Sequence, residues 1–408
     1  MTDVRSAATP GWVPLVTTVT LVQAVLALMT RTLPLLGMPL TEASGMPPEA
    51  VGQLSSATSF GSMLFFLWGP ALLSFLPSLR QLQLGCALAS VALVFCATGR
   101  WEGMLLAAFV IGLGYGPSTP AGSDLLMKVT PRHRRATIFS IKQAGVPLGG
   151  LAAGLLLPAI VVATDSLTAT LVTAALLALG SALALGLMKG PVDVAPPLRA
   201  PITLGGLLTA PVRLIALLLR SPQLRLITAA GFCLGIAQGI VMGYFPVFLS
   251  DHAGWSLAAA GAGFALLQGL GVAGRVMMGW LSDRIGDTAK ALSMLCFLSA
   301  GTMMLLATIG PGSPAPWVFA LAALAGITVV SWNGVFLTGL AEAAPEGRVG
   351  EITAAGTFVL FSGYVICPLL IQGVIAATDG YAAGLILSGL APGLAGLALT
   401  IGARRRRR

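Results

Sequence analysis

Apolar runs of about 20 residues follow one another along the chain, separated by short segments with charged or turn-forming residues. A helical run of that length crosses the hydrocarbon core of a bilayer, so each run predicts one membrane helix. Twelve helices are predicted, at residues 11–36, 51–76, 81–99, 103–127, 137–163, 168–189, 223–249, 256–281, 289–309, 316–341, 351–377 and 381–402. The predicted fold class is an all-α membrane protein.

The composition supports a chain that lies in a bilayer. Of the 408 residues, 56% are hydrophobic and 9% charged, whereas soluble domains contain about 25% charged residues. The net charge of +9 does not indicate nucleic-acid binding, because the positive residues lie between apolar runs. The five cysteines fall within apolar runs and form no CxxC pair, so neither a disulfide framework, a metal site nor a cofactor is predicted.

The distribution of lysine and arginine predicts the orientation. If the N-terminus is cytoplasmic, the outer loops contain only Arg100, and the other basic loop residues are inside. The prediction is a multi-pass protein of the cell inner (plasma) membrane with both termini in the cytoplasm. The tail Arg404–Arg408 is then interpreted as an anchor on the anionic inner leaflet.

A proline-rich and then basic segment at 190–222 divides the chain into two halves, 1–189 and 223–408. Part of it is amphipathic and is expected to lie along the inner membrane surface. The halves resemble each other weakly at an offset of roughly 210 residues, since Pro34 and Pro246 occupy similar positions in their helices. Two pseudo-symmetric six-helix bundles are therefore predicted.

The most specific motif is Gly279-x-x-x-Asp283-Arg284-x-Gly286, between the eighth and ninth apolar runs. Gly279 allows close helix approach, Asp283 can cap a helix or pair with arginine, and Gly286 permits a left-handed turn. The pattern resembles the cytoplasmic loop of the major facilitator superfamily, which joins the second and third helices of each half. The resemblance implies alternating access by a monomer, with these four residues as a conformational latch.

The corresponding loop of the first half, residues 68–80, retains a glycine and an arginine but lacks the Asp-Arg pair. Asp124 is a candidate to replace that pair. Alternatively, Asp124 forms an ion pair with Lys128 or carries a proton. It is the only carboxylate predicted inside a membrane helix, which favours uniport, anion exchange, or symport in which the substrate carries the coupling proton.

Ionisable residues inside membrane helices cost several kcal/mol unless they are paired or hydrated, so they are candidate site residues. Arg275 lies eight residues before Asp283, and Lys142 seven after Arg135, so both are ~12 Å from the inner surface. The resemblance implies that helices five and eight face each other across a central cavity. The hypothesis is that Lys142 and Arg275 bind a small carboxylate. The alternative is that Arg275 pairs with Asp283 while Lys142 extends to the inner surface.

Other polar residues near the middle of helices are candidates for substrate contact or for bonds between helices. Arg31 lies near the predicted outer end of the first helix, where it either attracts anions or extends to the headgroups. The uncharged candidates are Gln23, Tyr115, Gln143, Gln238, Gln268, Trp332 and Asn333.

The predicted function is a transporter of a small organic anion. The Arg275-x-x-x-Gly279 spacing is similar to that of monocarboxylate transporters, in which a helix-eight arginine is assigned to substrate. A drug or metabolite efflux pump is the alternative, because Gly145-x-Pro147-x-Gly149-Gly150 resembles the helix-five signature of such pumps. No enzyme is predicted, since no HExxH, GxSxG or P-loop pattern is present.

Overall fold

The computed structural model describes residues 12–73, 75–129, 135–188, 203–345, 348–378 and 380–407. Within these ranges the regular structure is helical, with no β-strand. The main helices are α1 (Trp12–Leu35), α2 (Val51–Leu72), α3 (Ser78–Ala92, extended by the 3₁₀ turn Leu93–Thr98), α4 (Trp101–Tyr115 and Pro120–Val129), α5 (Arg135–Thr164), α6 (Leu167–Leu187), α7 (Pro222–Val247), α8 (Leu257–Ile285), α9 (Thr288–Leu306), α10 (Ala315–Thr328 and Asn333–Ala343), α11 (Val349–Thr378) and α12 (Tyr381–Arg407).

These helices match the twelve predicted segments, which confirms the all-α fold class. Eleven helical spans in the described ranges are long and apolar enough to cross a membrane. The remaining segment is α2, a helix of 22 residues. Its hydroxyl side chains recur at helical spacing and face the interior of the protein, which lowers its hydropathy without preventing burial.

Local sequence signals fix several helix ends. Ser166, Ser221 and Ser256 precede α6, α7 and α8, and each side chain accepts a hydrogen bond from a backbone N–H of the first turn. Gly286 ends α8 in the left-handed conformation (φ 64°), as expected for that glycine. Asp287 then caps α9 by accepting a hydrogen bond from the Lys290 N–H at 3.0 Å.

Helices α1–α6 and α7–α12 form two sets that meet mainly along α5 with α8 and α2 with α11. The first contact depends on small residues: a Cβ on Gly154 would lie 2.7 Å from the carbonyl oxygen of Gly261. Residues 190–202 of the predicted linker lie outside the described ranges. The part that follows forms the helix Leu204–Leu218, which packs against α11 and exposes apolar side chains such as Val212.

The two ends of the bundle differ in charge. We call the end with Arg80, Arg220, Arg284, Lys290 and Arg348 the basic end. The opposite end carries Glu42, Glu49, Glu102, Asp165 and Asp251 together with Arg100. The loop 130–134 and the side chains of the C-terminal arginines are outside what the structure describes. This difference in charge between the two ends follows the distribution of lysine and arginine in the loops, from which the orientation was predicted.

At the basic end, the predicted latch residues of α8 make few contacts with neighbouring helices, whereas Asp124 bonds to α3. Asp283 and Arg284 are exposed, and the Arg284 guanidinium lies 5.3 Å from the centre of the Trp280 ring. The close helix approach expected at Gly279 is absent, since no described atom lies within 4 Å of a Cβ built there. Asp124 is exposed, and its carboxylate accepts a hydrogen bond of 2.5 Å from the hydroxyl of Ser78 at the start of α3.

At the opposite end, hydrogen bonds join the two helix sets. The Tyr244 hydroxyl of α7 lies 2.9 Å from the carbonyl oxygens of both Glu49 and Pro368. The Gln53 amide of α2 donates to the Gln372 side chain of α11 at 3.2 Å. The Trp101 indole donates to the side-chain oxygen of Gln53 at 2.8 Å, so the Gln53 side-chain nitrogen is the donor to Gln372.

Candidate substrate site in the central cavity

A cavity of about 170 Å³ lies between the two helix sets. Its wall is built from α1, α2, α4 and α5 on one side and from α7, α8, α10 and α11 on the other. Of the predicted site residues, it brings together Arg31, Tyr115, Gln143, Gln238, Arg275 and Asn333. Both sets therefore contact whatever occupies the cavity.

Arg31 of α1 and Arg275 of α8 are the charged residues of this wall, in the part of the chain that the structure describes. Arg275 donates one hydrogen bond of 3.3 Å to the Gln143 carbonyl, and its Nε has no partner. No described residue forms a hydrogen bond or ion pair with Arg31. The two guanidinium groups are close enough to interact electrostatically with each other and with Tyr115 and Tyr364. Two cations thus share a cavity whose described wall contains no carboxylate.

Arg31 lies deeper in the protein than the sequence analysis predicted. The helical hydrogen bonds continue past Pro34, from Leu36 N to the Thr32 carbonyl at 3.1 Å and from Leu40 N to the Leu36 carbonyl at 3.0 Å. The chain remains helical in the segment Gly37–Ser44. Arg31 is consequently near the middle of a longer helical path, so its placement at an outer end is corrected.

Lys142 lies outside the wall of this cavity. Its side chain is 1% exposed, and its ammonium group donates to the Thr119 carbonyl at 2.9 Å and to the Ser123 hydroxyl at 3.1 Å. Both acceptors belong to the region where α4 is interrupted by Gly116–Ser118 and restarts at Pro120. Lys142 therefore joins α5 to the interruption of α4, while the next residue on α5, Gln143, reaches the cavity.

The amide residues form pairs within each helix set. Gln23 donates to the side-chain oxygen of Gln143 at 3.0 Å, and Asn333 donates to that of Gln238 at 3.2 Å. Gln268 is buried against Gly150 rather than on the wall, and its side-chain oxygen has no partner. Trp332 is also buried, and its indole donates to the Val329 carbonyl at 2.9 Å.

The sequence analysis missed two groups of wall residues. Four hydroxyl residues of α2 line the cavity at the spacing i, i+3, i+4, i+7: Ser55, Thr58, Ser59 and Ser62. This periodicity was a usable signal for a helix face directed at a polar space. Tyr364 was missed because a single tyrosine in an apolar run does not reveal which way it faces.

Two sets of six helices thus meet around a central cavity that arginine, amide and hydroxyl side chains line in part. The sequence model of the Major Facilitator Superfamily matches residues 20–368, and the chain belongs to this superfamily. It is 30% identical over 310 residues to the uncharacterized MFS-type transporter Rv2994 of Mycobacterium tuberculosis, a match that covers 75% of this chain and 66% of the relative, slightly under two thirds of its length.

A shorter match is to the probable nitrate/nitrite transporter NarK2 of Mycobacterium tuberculosis, 34% identical over 151 residues, which is 35% of this chain and 36% of that protein. The fold is similar to a crystal structure of a POT family transporter in complex with 5-aminolevulinic acid, with a TM-score of 0.77, 12% identity and 96% of each chain covered.

It is also similar to a bacterial homolog of the human lysosomal transporter Spinster in an inward-facing and unoccupied conformation. The TM-score is 0.72 at 16% identity, over 97% of this chain and 98% of the other. At such low identity these likenesses establish the fold alone.

Proposed function

We propose that the protein transports a small organic anion, a carboxylate, across the membrane by alternating access. The observation that carries the proposal is the pair Arg31 and Arg275, two half-buried cations on one cavity wall whose described residues include no acid. Buried cations without a counter-ion are costly, and a carboxylate in the cavity offsets that cost for both. Guanidinium groups suit the task because they bind a carboxylate through two parallel hydrogen bonds.

Efflux of a drug or metabolite remains the alternative within the same superfamily. Pro147 lies inside α5, where that helix meets α8 near Gly271, so a bend there would change the contact between the helix sets. Two arginines in the cavity disfavour lipophilic cations as cargo.

The remaining assignments belong to the same proposal. The protein acts as a monomer of the cell inner membrane, with the basic end and both termini in the cytoplasm. Residues 1–189 and 223–408 move as two bundles joined by the 190–222 linker. Gly279, Asp283, Arg284, Gly286 and Asp124 form a latch that engages when the opposite end opens. The substrate can bring its own coupling proton, since the described cavity wall has no carboxylate to carry one.

A thermal-shift screen of the purified protein in detergent tests the proposal. The panel contains small carboxylates, nitrate and nitrite, and lipophilic cations. We expect carboxylates to raise the melting temperature in a concentration-dependent manner, because a ligand of the folded state stabilises it by RT ln(1 + [L]/Kd). Stabilisation by lipophilic cations alone would replace the proposal with the efflux alternative. Nitrate or nitrite as the sole stabilising anion would make the cargo inorganic.

Lys142 provides a test of which cations bind the anion. Replacing Lys142 by methionine retains the length of the side chain and removes the charge. Because Lys142 is not on the cavity wall, we expect the affinity for the stabilising carboxylate to change by no more than about threefold. Isothermal titration with wild-type and Lys142→Met protein measures this. A loss of about a hundredfold or more would restore the predicted direct contact between Lys142 and the substrate.

A further inference from the structure

One side of the cavity is apolar. Phe336 and Leu337 of α10 and Leu360 and Phe361 of α11 belong to this part of the wall. Phe66 of α2 approaches from the other helix set, and its ring meets that of Phe361 edge-on with 4.9 Å between ring centres. We call these five residues the apolar corner. Phe66 and Phe361 are partly exposed, so the corner offers ring edges and faces to a bound ligand, while Phe336 is fully buried.

The apolar corner begins one helical turn from Tyr364, which lines the same cavity as the arginines. Tyr364 follows Phe361 by three residues on α11, and their rings are 5.1 Å apart. Three residues correspond to a rise of about 4.5 Å along a helix. Tyr364 interacts electrostatically with both Arg31 and Arg275. A molecule whose anionic group lies between the arginines and beside Tyr364 therefore has Phe361 about one helical turn further along α11.

The wall residues of α2 also change from polar to apolar toward the basic end. Its wall residues are hydroxyls from Ser55 to Ser62 and then Phe66, one turn closer to the basic end. The Ser55 hydroxyl oxygen is buried and has no hydrogen-bond partner among the described residues. Two helices from different sets, α2 and α11, thus give the cavity a polar region and an apolar region, and Thr357 of α11 is a polar wall residue beyond the apolar one.

We propose that the substrate is a monoanion with one carboxylate head group and an aromatic tail, bound with the head between Arg31 and Arg275 and the tail in the apolar corner. This inference rests on the proposed function, because it takes the same cavity as the transport site. An extended dicarboxylate is disfavoured because its second charge would be buried beside Leu337 and Phe361 without a cation. Acetate or nitrate would leave the apolar corner unfilled.

Binding of matched ligands to wild-type protein tests the inference. The panel contains phenylacetate, benzoate, acetate, succinate and nitrate, with benzyl alcohol as a control for partition of a ring into detergent. Each buried methylene contributes about fourfold in affinity, so partial burial of a phenyl ring should make phenylacetate at least about 30-fold tighter than acetate. Benzyl alcohol should bind more weakly than phenylacetate, since it has no carboxylate for the arginines.

The outcomes separate this inference from the function on which it rests. If acetate or succinate binds as tightly as phenylacetate, the aromatic tail is refuted while carboxylate transport stands. If no anion binds at all, both are refuted. If benzyl alcohol binds as tightly as phenylacetate, the head group assigned to the arginines is refuted.

A variant places the tail. In Phe361→Ala protein, we expect the ratio of phenylacetate to acetate affinity to fall about tenfold, because the phenyl ring of the ligand loses its contact with the Phe361 ring. Phe297→Ala is the matched control, since Phe297 is an exposed phenylalanine of α9. Phe361→Leu, which preserves most of the apolar volume, serves if the alanine variant does not fold, with an expected fall of about threefold. An unchanged ratio in a folded variant would move the tail away from the apolar corner.

Discussion

Replacing Arg275 by glutamine is expected to weaken binding of the carboxylate by about 100-fold and to abolish its uptake. Hydrogen bonds to charged groups contribute about 1.5–3 kcal/mol, and the shorter, neutral amide of glutamine cannot provide the paired donors of a guanidinium. Folding should survive the change, because Arg275 has no acidic partner in the described cavity wall that would be left without a counter-ion. Titration in detergent and uptake into proteoliposomes measure the two effects.

Three further variants control this experiment. Arg225→Gln makes the same chemical change at an exposed site of α7 and should leave both readouts unaltered. Arg275→Lys retains the charge without the forked geometry and should recover only part of the affinity. Arg31→Gln should resemble Arg275→Gln if both arginines contact one anion. Full affinity in a folded Arg275→Gln protein would remove Arg275 from the site.

The second large effect is expected from replacing Gly52 by alanine. A Cβ at this position would overlap the Tyr244 hydroxyl and lie 2.9 Å from the Pro368 carbonyl oxygen. Since the latter is a backbone atom, the two helix sets must separate to make room. Overpacking of this kind costs about 1–3 kcal/mol, which shifts the balance between two conformations by roughly 5–150-fold. Transport should slow by about fivefold or more, because alternating access requires this end to close.

Thiol labelling reports the shift directly. The five natural cysteines are first replaced, and a single cysteine is introduced on the cavity wall by Ser59→Cys. A membrane-impermeant thiol reagent is then added on the side of the membrane where Arg100 lies. Gly52→Ala should increase the labelling rate. Gly301→Ala is the matched control, because nothing lies within 4 Å of a Cβ at that helical position. Equal labelling in all three backgrounds would show that contact at Gly52 does not control access.

Hydropathy was sufficient to predict the number and order of the helices, because the length of an apolar run is a property of the sequence alone. It could not predict where helices bend or continue. Arg31 was predicted near the outer end of the first helix, yet helical hydrogen bonds continue past Pro34 and the segment Gly37–Ser44 is also helical. Conversely, α4 is interrupted at Gly116–Ser118, inside the predicted segment 103–127, where Pro117 and Pro120 are a local signal that hydropathy alone does not register. The continuation past Pro34 depends on packing against other helices, which carries no local signal.

The sequence also could not predict the rotation of each helix about its axis, which decides which residues face the cavity. The spacing of Lys142 from Arg135 predicted its depth, but adjacent residues on a helix point about 100° apart. Gln143 faces the cavity, and Lys142 faces α4. On α2 the rotation could have been predicted, because four hydroxyl residues at helical spacing share one face of the helix. A lone charged residue in an apolar helix contains no such repeat.

The Tyr244 contact at the opposite end uses main-chain acceptors. The carbonyl oxygens of Glu49 and Pro368 accept its hydrogen bond, and neither of their side chains takes part. Every amino acid offers the same carbonyl, so positions 49 and 368 can change identity during evolution without removing the acceptors. Positions 244 and 52 have no such freedom, since one must supply a hydroxyl and the other must lack a side chain. The closure of this end therefore constrains the amino acid at only two positions, 52 and 244.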